Sequence, residues 1–197
     1  MLMVGGSLSG FNVTWSLRAE QEAARHMKPL AVSPRVIRER FGYVLGPSGD
    51  VADRFNATSE ADRQIIADAQ ACRAQFIITE DVDDFAWQNL IEVGISAVNP
   101  ALFLSFRLTE QAYTAIIDLF VQNQVSPPTT PEEFHSAIAR QHPLLFAAHA
   151  NLYKVEPKQS NHASSKVLFR GRRCVACNNL AVDRCGVCSQ CSTSMLV

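Results

Sequence analysis

Helical and extended segments alternate through about the first hundred residues, and this alternation limits the fold more than any other feature of the sequence. "SPRVIRERFGYVL" opens with Ser33 as N-cap and Pro34 at the first helical position, and Val36, Ile37, Phe41 and Val44 give it an apolar face. "SEADRQIIADAQACRA" starts another helix, with Ser59 three residues before Asp62 as in a capping box and an apolar stripe of Ile65, Ile66, Ala69 and Cys72. "TWSLRAEQEAARHM" has helical spacing, and "FAWQNLIEVG" is a helix stopped by Gly94. Between these lie short apolar runs, "MLMV", "PLAV", "QFIIT" and "ISAV", each of which predicts a strand. Helices set between strands predict an α/β domain with a mainly parallel sheet.

Beyond residue 100 the pattern becomes helical. "ALFLSFRLTEQAYTAIIDLFVQNQ" is apolar on one side, and "VSPPTTP" is a stiff connector. "TPEEFHSAIARQHPLLFAAHANLY" begins with Thr130 as cap, Pro131 at the first position and Glu133 completing a capping box. The polar, unpatterned "KVEPKQSNHASSK" reads as linker. The expected division is therefore 1–106, 107–153, 154–172 and 173–192: an α/β domain, a helical extension, a linker and a cysteine-rich tail.

With 18 Lys and Arg against 19 Asp and Glu, the formal charge of -1 excludes a generally basic nucleic-acid binder. "MLMVGGSLSGF" lacks the basic start and apolar continuation of a signal peptide. No apolar run approaches the ~20 residues that span a bilayer. The expectation is a cytoplasmic chain with no membrane contact.

The strand "FIIT" runs straight into Glu80, Asp81, Asp83 and Asp84. Repulsion among these carboxylates must be relieved by solvent, protonation or a cation. Ligands gather at the carboxyl ends of parallel strands, and Asp62, in the first turn of the preceding helix, can reach the same place. Glu39 is a third candidate. Converging oxygen ligands suit Mg²⁺ or Mn²⁺, and such an ion supports phosphodiester hydrolysis. The plainer readings make Glu80 and Asp83 solvated loop charges, Asp62 a helix-start residue and Glu39 a surface partner of Arg38 and Arg40.

"LAVSPRVIRERFGYVL", "ADRQIIADAQACRAQFIITEDVDDF" and "GISAVNPALFL" together resemble the PIN domain, in its VapC-type toxin branch, over roughly residues 1–150. The resemblance implies a PIN-like α/β/α sandwich with a mainly parallel central sheet, followed by a helical extension; the cysteine spacing described below adds a small zinc-binding tail. It implies a metal-dependent ribonuclease with Glu39, Asp62 and Asp81 on the ion, Asp84 as a further acid and Thr79 at the strand end. RNA is the implied substrate. An antitoxin protein and a second copy of the chain are candidate partners. One departure stands out: the family's first strand ends in Asp, whereas no Asp precedes Asp50 here and Ser7 and Asn12 are the only nearby oxygen donors. The alternative is a catalytically inactive PIN-like module that binds RNA or protein.

Five of the six cysteines fall between 174 and 191. "CVACNNLAVDRCGVC" supplies Cys174, Cys177, Cys185 and Cys188 as two Cys-x-x-Cys knuckles, a spacing that fits structural Zn²⁺. Cys191 or His162 could substitute, a free Cys191 being the simpler reading, and a redox-active tail is the competing one. The basic "RGRR" before the first knuckle, with Arg170, Arg172 and Arg173, reads as either a phosphate contact or a solubilising linker. His135, His142 and His149 recur every seven residues, a spacing too wide for ligands on one helix.

Overall fold

The computed structural model describes residues 1–29, 31–124, 127, 129–157, 167–183 and 186–195. The chain is mixed α/β, with a small three-stranded sheet, and its contacts divide it into two compact units. Among the described residues, no helix is long and apolar enough to cross a membrane.

The first unit joins Met1–Asn12 to residues 100–166 and is built of helices. These are α1 (Leu2–Ser9), α6 (Pro100–Arg107), α7 (Glu110–Asn123), α8 (Pro131–Gln141) and α9 (Pro143–Ala148). The "MLMV" run is therefore not a strand. A short apolar run cannot be assigned by periodicity alone, and here packing against α6 and α7 selects the helix. Gly5 permits that approach, because a Cβ there would stand 2.7 Å from Leu108 Cδ2. Thr109 caps α7 through Ala112 N–H and so divides what the sequence suggested was one long helix. The capping box predicted at Thr130 and Glu133 is present. Leu102, Ile116, Ile117 and Leu145 are fully buried in this unit's core.

The second unit comprises residues 13–99 and 167–197. It contains α2 (Leu17–Arg25), α3 (Pro34–Arg40), α4 (Glu60–Ala71), β1 (Phe76–Ile78), α5 (Trp87–Val93), β2 (Ser96–Val98) and β3 (Phe169–Arg170). β1 pairs with β2 in parallel, Ile77 facing Ala97, and β2 pairs antiparallel with β3, Ala97 facing Arg170. One parallel and one antiparallel pair replace the mainly parallel sheet that was expected. The β3 residues lie within the segment read as linker. "PLAV" forms no strand in its described part: Ala31 N–H closes a turn onto Lys28 O, Val32 is exposed, and Leu30 lies outside the described residues.

Ile66, Ala67 and Ala69 of α4 pack with Phe55, Ile77, Val82, Phe85, Leu90 and Ala97 into the core. Burying each large side chain stabilises by about 1.5–3 kcal/mol. The apolar face predicted for α3 is not covered, since Val36, Phe41 and Val44 remain exposed. What holds α3 to α2 is instead a largely buried ion pair, Arg38 Nε to Glu20 at 2.6 Å.

Candidate metal centre and acidic loop

The tail carries the tightest gathering of ligand atoms. Cys174, Cys177, Cys188 and Cys191 place their sulfurs within 4.8 Å of one another, and no other group of three or more His, Cys, Asp or Glu does so among the described residues. Cys174 Sγ lies 3.7 Å from Cys191 Sγ, and Cys177 Sγ lies 3.6 Å from Cys188 Sγ. A tetrahedral Zn²⁺ with Zn–S bonds of about 2.3 Å requires S···S edges of about 3.8 Å. The four thiols are therefore spaced to hold a metal such as zinc. Cys185, expected as a ligand, lies outside the described residues, as does His162.

The two knuckles share one backbone pattern. Asn178 N–H donates to Cys174 O at 2.9 Å, and Ser192 N–H donates to Cys188 O at 2.8 Å. Asn178 and Ser192 both take the left-handed conformation, at φ 64° and 56°. Cys174 N–H donates to Asn179 O at 2.8 Å and Cys188 N–H to Thr193 O at 3.0 Å. In each knuckle the second thiol is also stabilised as thiolate. The Asn179 amide lowers Cys177 below the usual thiol range, and the Thr193 hydroxyl and amide draw Cys191 down to about 6. Burial pushes Cys174 the other way. The sequence signal for Cys191 was present in "CSQC", but "CGVCSQC" offers two overlapping knuckles and spacing alone does not choose.

The acids lie in the same unit. After β1, Thr79 Oγ1 accepts Asp81 N–H at 3.1 Å and residues Val82–Asp84 make one 3₁₀ turn. Val82 and Phe85 are buried, so the turn is anchored by its apolar residues while Asp81, Asp83 and Asp84 stay exposed. Glu80 and Asp83 each have a polar side-chain partner. Asn99 Nδ2 donates to Glu80 at 3.0 Å, and Arg170 Nη2 pairs with Asp83 at 2.7 Å. Asp84 has no ion pair among the described residues. Burial first, then the charges of Asp62, Asp81, Asp83 and Glu22, hold its carboxyl above the ordinary value.

Asp62 reaches this loop because the starts of α4 and α5 are tied together. Thr58 is buried, donates from Oγ1 to Asn89 Oδ1 at 3.0 Å, and accepts Ala86 N–H at 3.0 Å. Asp62 itself is bonded to Ser59, the N-cap of α4. Glu39 is placed differently. Its carboxylate sits 2.8 Å from Arg35 and 3.5 Å from Arg38, both of which lower its pKa, and it is not among the carboxylates acting on Asp84. Sequence reading missed Glu22, which acts on Asp84 from α2, and missed Thr58 and Asn89, which look like surface polar residues until their burial is known. A separate cleft of about 630 Å³, lined by Arg18, Asp53, Glu60, Arg63 and Gln64, uses another face of α4 and contains none of Asp62, Asp81 and Asp84.

Arg170 and Arg173 of "RGRR" turn toward the protein. Arg170 donates to Asp83 O and Phe85 O, both at 3.1 Å, and Arg173 donates to Gly94 O at 2.9 Å and Asn178 O at 3.0 Å. Buried His135 and His149 belong to an aromatic cluster with Tyr113, and His142 sits at the junction of α8 and α9. No family model, no curated protein and no solved structure matches this chain.

Proposed function

We propose that this chain is a PIN-like ribonuclease that hydrolyses RNA phosphodiesters at the acids beside β1, within an α/β/α sandwich of that type. The observation that carries the reading is the action of Asp62 and Asp81 on Asp84, where negative charge from the start of α4 and from the loop after β1 converges on one carboxyl. Carboxylate oxygens are the donors that Mg²⁺ and Mn²⁺ prefer, and both ions bind through one or two carboxylates while keeping several waters. No three of these acids approach within direct shared-ligand distance, so Asp62 and Asp81 would hold the ion with water completing its shell. When bound, a divalent cation supplies charge neutralisation at phosphate and activates water for in-line attack.

The chain's own groups have separate tasks. Asp81 and Asp62 supply ligand oxygens, Asp84 retains a proton to higher pH than an isolated Asp, and Thr79 fixes the Asp81 backbone. Glu22 adds its negative charge at Asp84 from α2. Glu39, paired with Arg35 and Arg38, is not among the carboxylates acting on Asp84. An antitoxin peptide would act by occluding the acids beside β1, and a second copy of the chain remains a candidate partner within the cytoplasm.

The second reading is an inactive PIN-like module that binds RNA or protein. It is favoured by residues 2–9, which are helical and carry no acid where the PIN family has its Asp-ending strand. RNA cleavage with Mn²⁺ separates the two, run for the wild type and Asp81→Asn with an EDTA control. Metal-dependent cleavage lost in the variant supports the ribonuclease. Binding of RNA without cleavage in the wild type supports the module.

A further inference from the structure

The geometry points to a zinc ion held by Cys174, Cys177, Cys188 and Cys191 that orders the tail, keeps Arg170 on the 83–85 backbone and so holds in place the loop carrying Asp81 and Asp84. The repeat of hydrogen bonds and left-handed residues across the two knuckles selects Cys188 and Cys191 as the counterpart of Cys174 and Cys177. Sulfur separations of 3.6 and 3.7 Å suit a shared tetrahedral ion and are far longer than the ~2.05 Å of a disulfide. Four soft thiolates select zinc over the hard cations expected at carboxylates.

Past Arg173 the buried apolar side chains of the described tail are Val175, Val182 and Met195, beside Cys174 and Cys188. So few cannot offset the conformational entropy of ordering the segment, which leaves the metal as the organising element. The consequence passes inward along named bonds. The first knuckle holds Asn178 O against the Arg173 guanidinium, and Arg173 also donates from Nε to Gly94 O and from its backbone N–H to Ser96 Oγ at 2.8 Å. These bonds fix the register of β3 on β2. Arg170, in that register, grips two loop carbonyls and the Asp83 carboxylate.

This inference does not depend on the ribonuclease reading, and its test uses no RNA. The full chain, Cys185→Ser, Cys191→Ser and Arg170→Ala would be assayed for bound zinc and for the thiolate absorption of substituted Co²⁺. Amide exchange by mass spectrometry would follow residues 80–90 in each protein, and in the wild type before and after reversible chelation. Expected are full zinc content and a four-thiolate spectrum for the wild type, Cys185→Ser and Arg170→Ala, and loss of that spectrum in Cys191→Ser. Chelation and Arg170→Ala should both raise exchange at 80–90 while leaving 100–157 unchanged, and zinc re-addition should reverse the former. A four-thiolate spectrum kept by Cys191→Ser and lost by Cys185→Ser would overturn the ligand set. Unchanged exchange at 80–90 after chelation, or exchange that rises over 100–157 as well, would overturn the coupling.

Discussion

Asp68 shows how much one buried carboxylate can organise. It sits on the core face of α4 at 2% exposure and accepts hydrogen bonds from Ser16 Oγ at 2.5 Å, Gln64 Nε2 at 2.7 Å, Gly49 N–H at 2.9 Å and Ser48 Oγ at 3.1 Å. Ser16 is also the N-cap of α2, so this one side chain ties α2, the 48–49 loop and α4 together. Burial alone would raise its pKa, but the hydrogen bonds from Ser16, Gln64, Gly49 and Ser48 outweigh it and hold the group below 3.8. Asp68→Ala strands several donors at once and should lower unfolding stability by about 3 kcal/mol in urea titrations at neutral pH. The sign of the pH effect follows from the depressed value. The unfolded chain takes up the proton first, so the contribution is complete above about pH 4 and is lost as the pH falls through the folded value. Asp68→Asn should therefore show a shallower loss of stability in acid than the wild type; an equal slope would contradict this assignment. Nothing in the sequence flagged Asp68, because an Asp inside an amphipathic helix reads as a surface residue unless its partners are known.

At the scale of elements, legibility followed the chemistry of the ends. Ser33, Ser59 and Thr130 each cap the helix that the sequence assigned to them, since a cap is a local bond between residues two or three apart. "QFIIT" and "ISAV" were legible as strands for their β-branched runs between turn residues. β3 was not, because two residues have no periodicity and their strand exists only through β2. Gly171 makes that docking sterically feasible. It takes φ 135°, and a Cβ there would collide with Ser96, standing 2.7 Å from its Cα. Gly171→Ala should cost roughly 2 kcal/mol through backbone strain and the clash with β2. Chemical denaturation followed by the fluorescence of Trp15 and Trp87, both in this unit, would measure it. A variant as stable as the wild type would mean that β3 is not seated against Ser96.

At the scale of the whole molecule, the two units differ in what acid does to them. The acids beside β1 and the cysteines belong to one; the other buries His135 fully and His149 to 3% exposure beside Tyr113. Tyr113 Oη and His135 Nδ1 share a hydrogen bond of 2.7 Å, and the His149 ring stacks on Tyr113 at 4.1 Å. His135 Nε2 and both His149 nitrogens have no hydrogen-bond partner among the described residues. Burial holds both imidazoles below 6.5; the neighbouring His149 charge adds to the effect at His135, while Glu110 opposes it at His149. Two of the three histidines spaced seven residues apart, His135 and His149, thus occupy core positions, while His142 is half-buried between α8 and α9. A histidine depressed on folding takes up its proton first in the unfolded chain, so stability is complete above about pH 6.5 and falls as the pH drops through the folded values. Amide exchange, corrected for its intrinsic pH dependence, should lose protection over residues 110–150 between about pH 7 and 5, ahead of residues 60–100. His149→Phe keeps the ring against Tyr113, removes both unpartnered nitrogens, and should make that decline shallower. Protection over 110–150 that falls as steeply in the variant as in the wild type would show that the titrating group lies elsewhere.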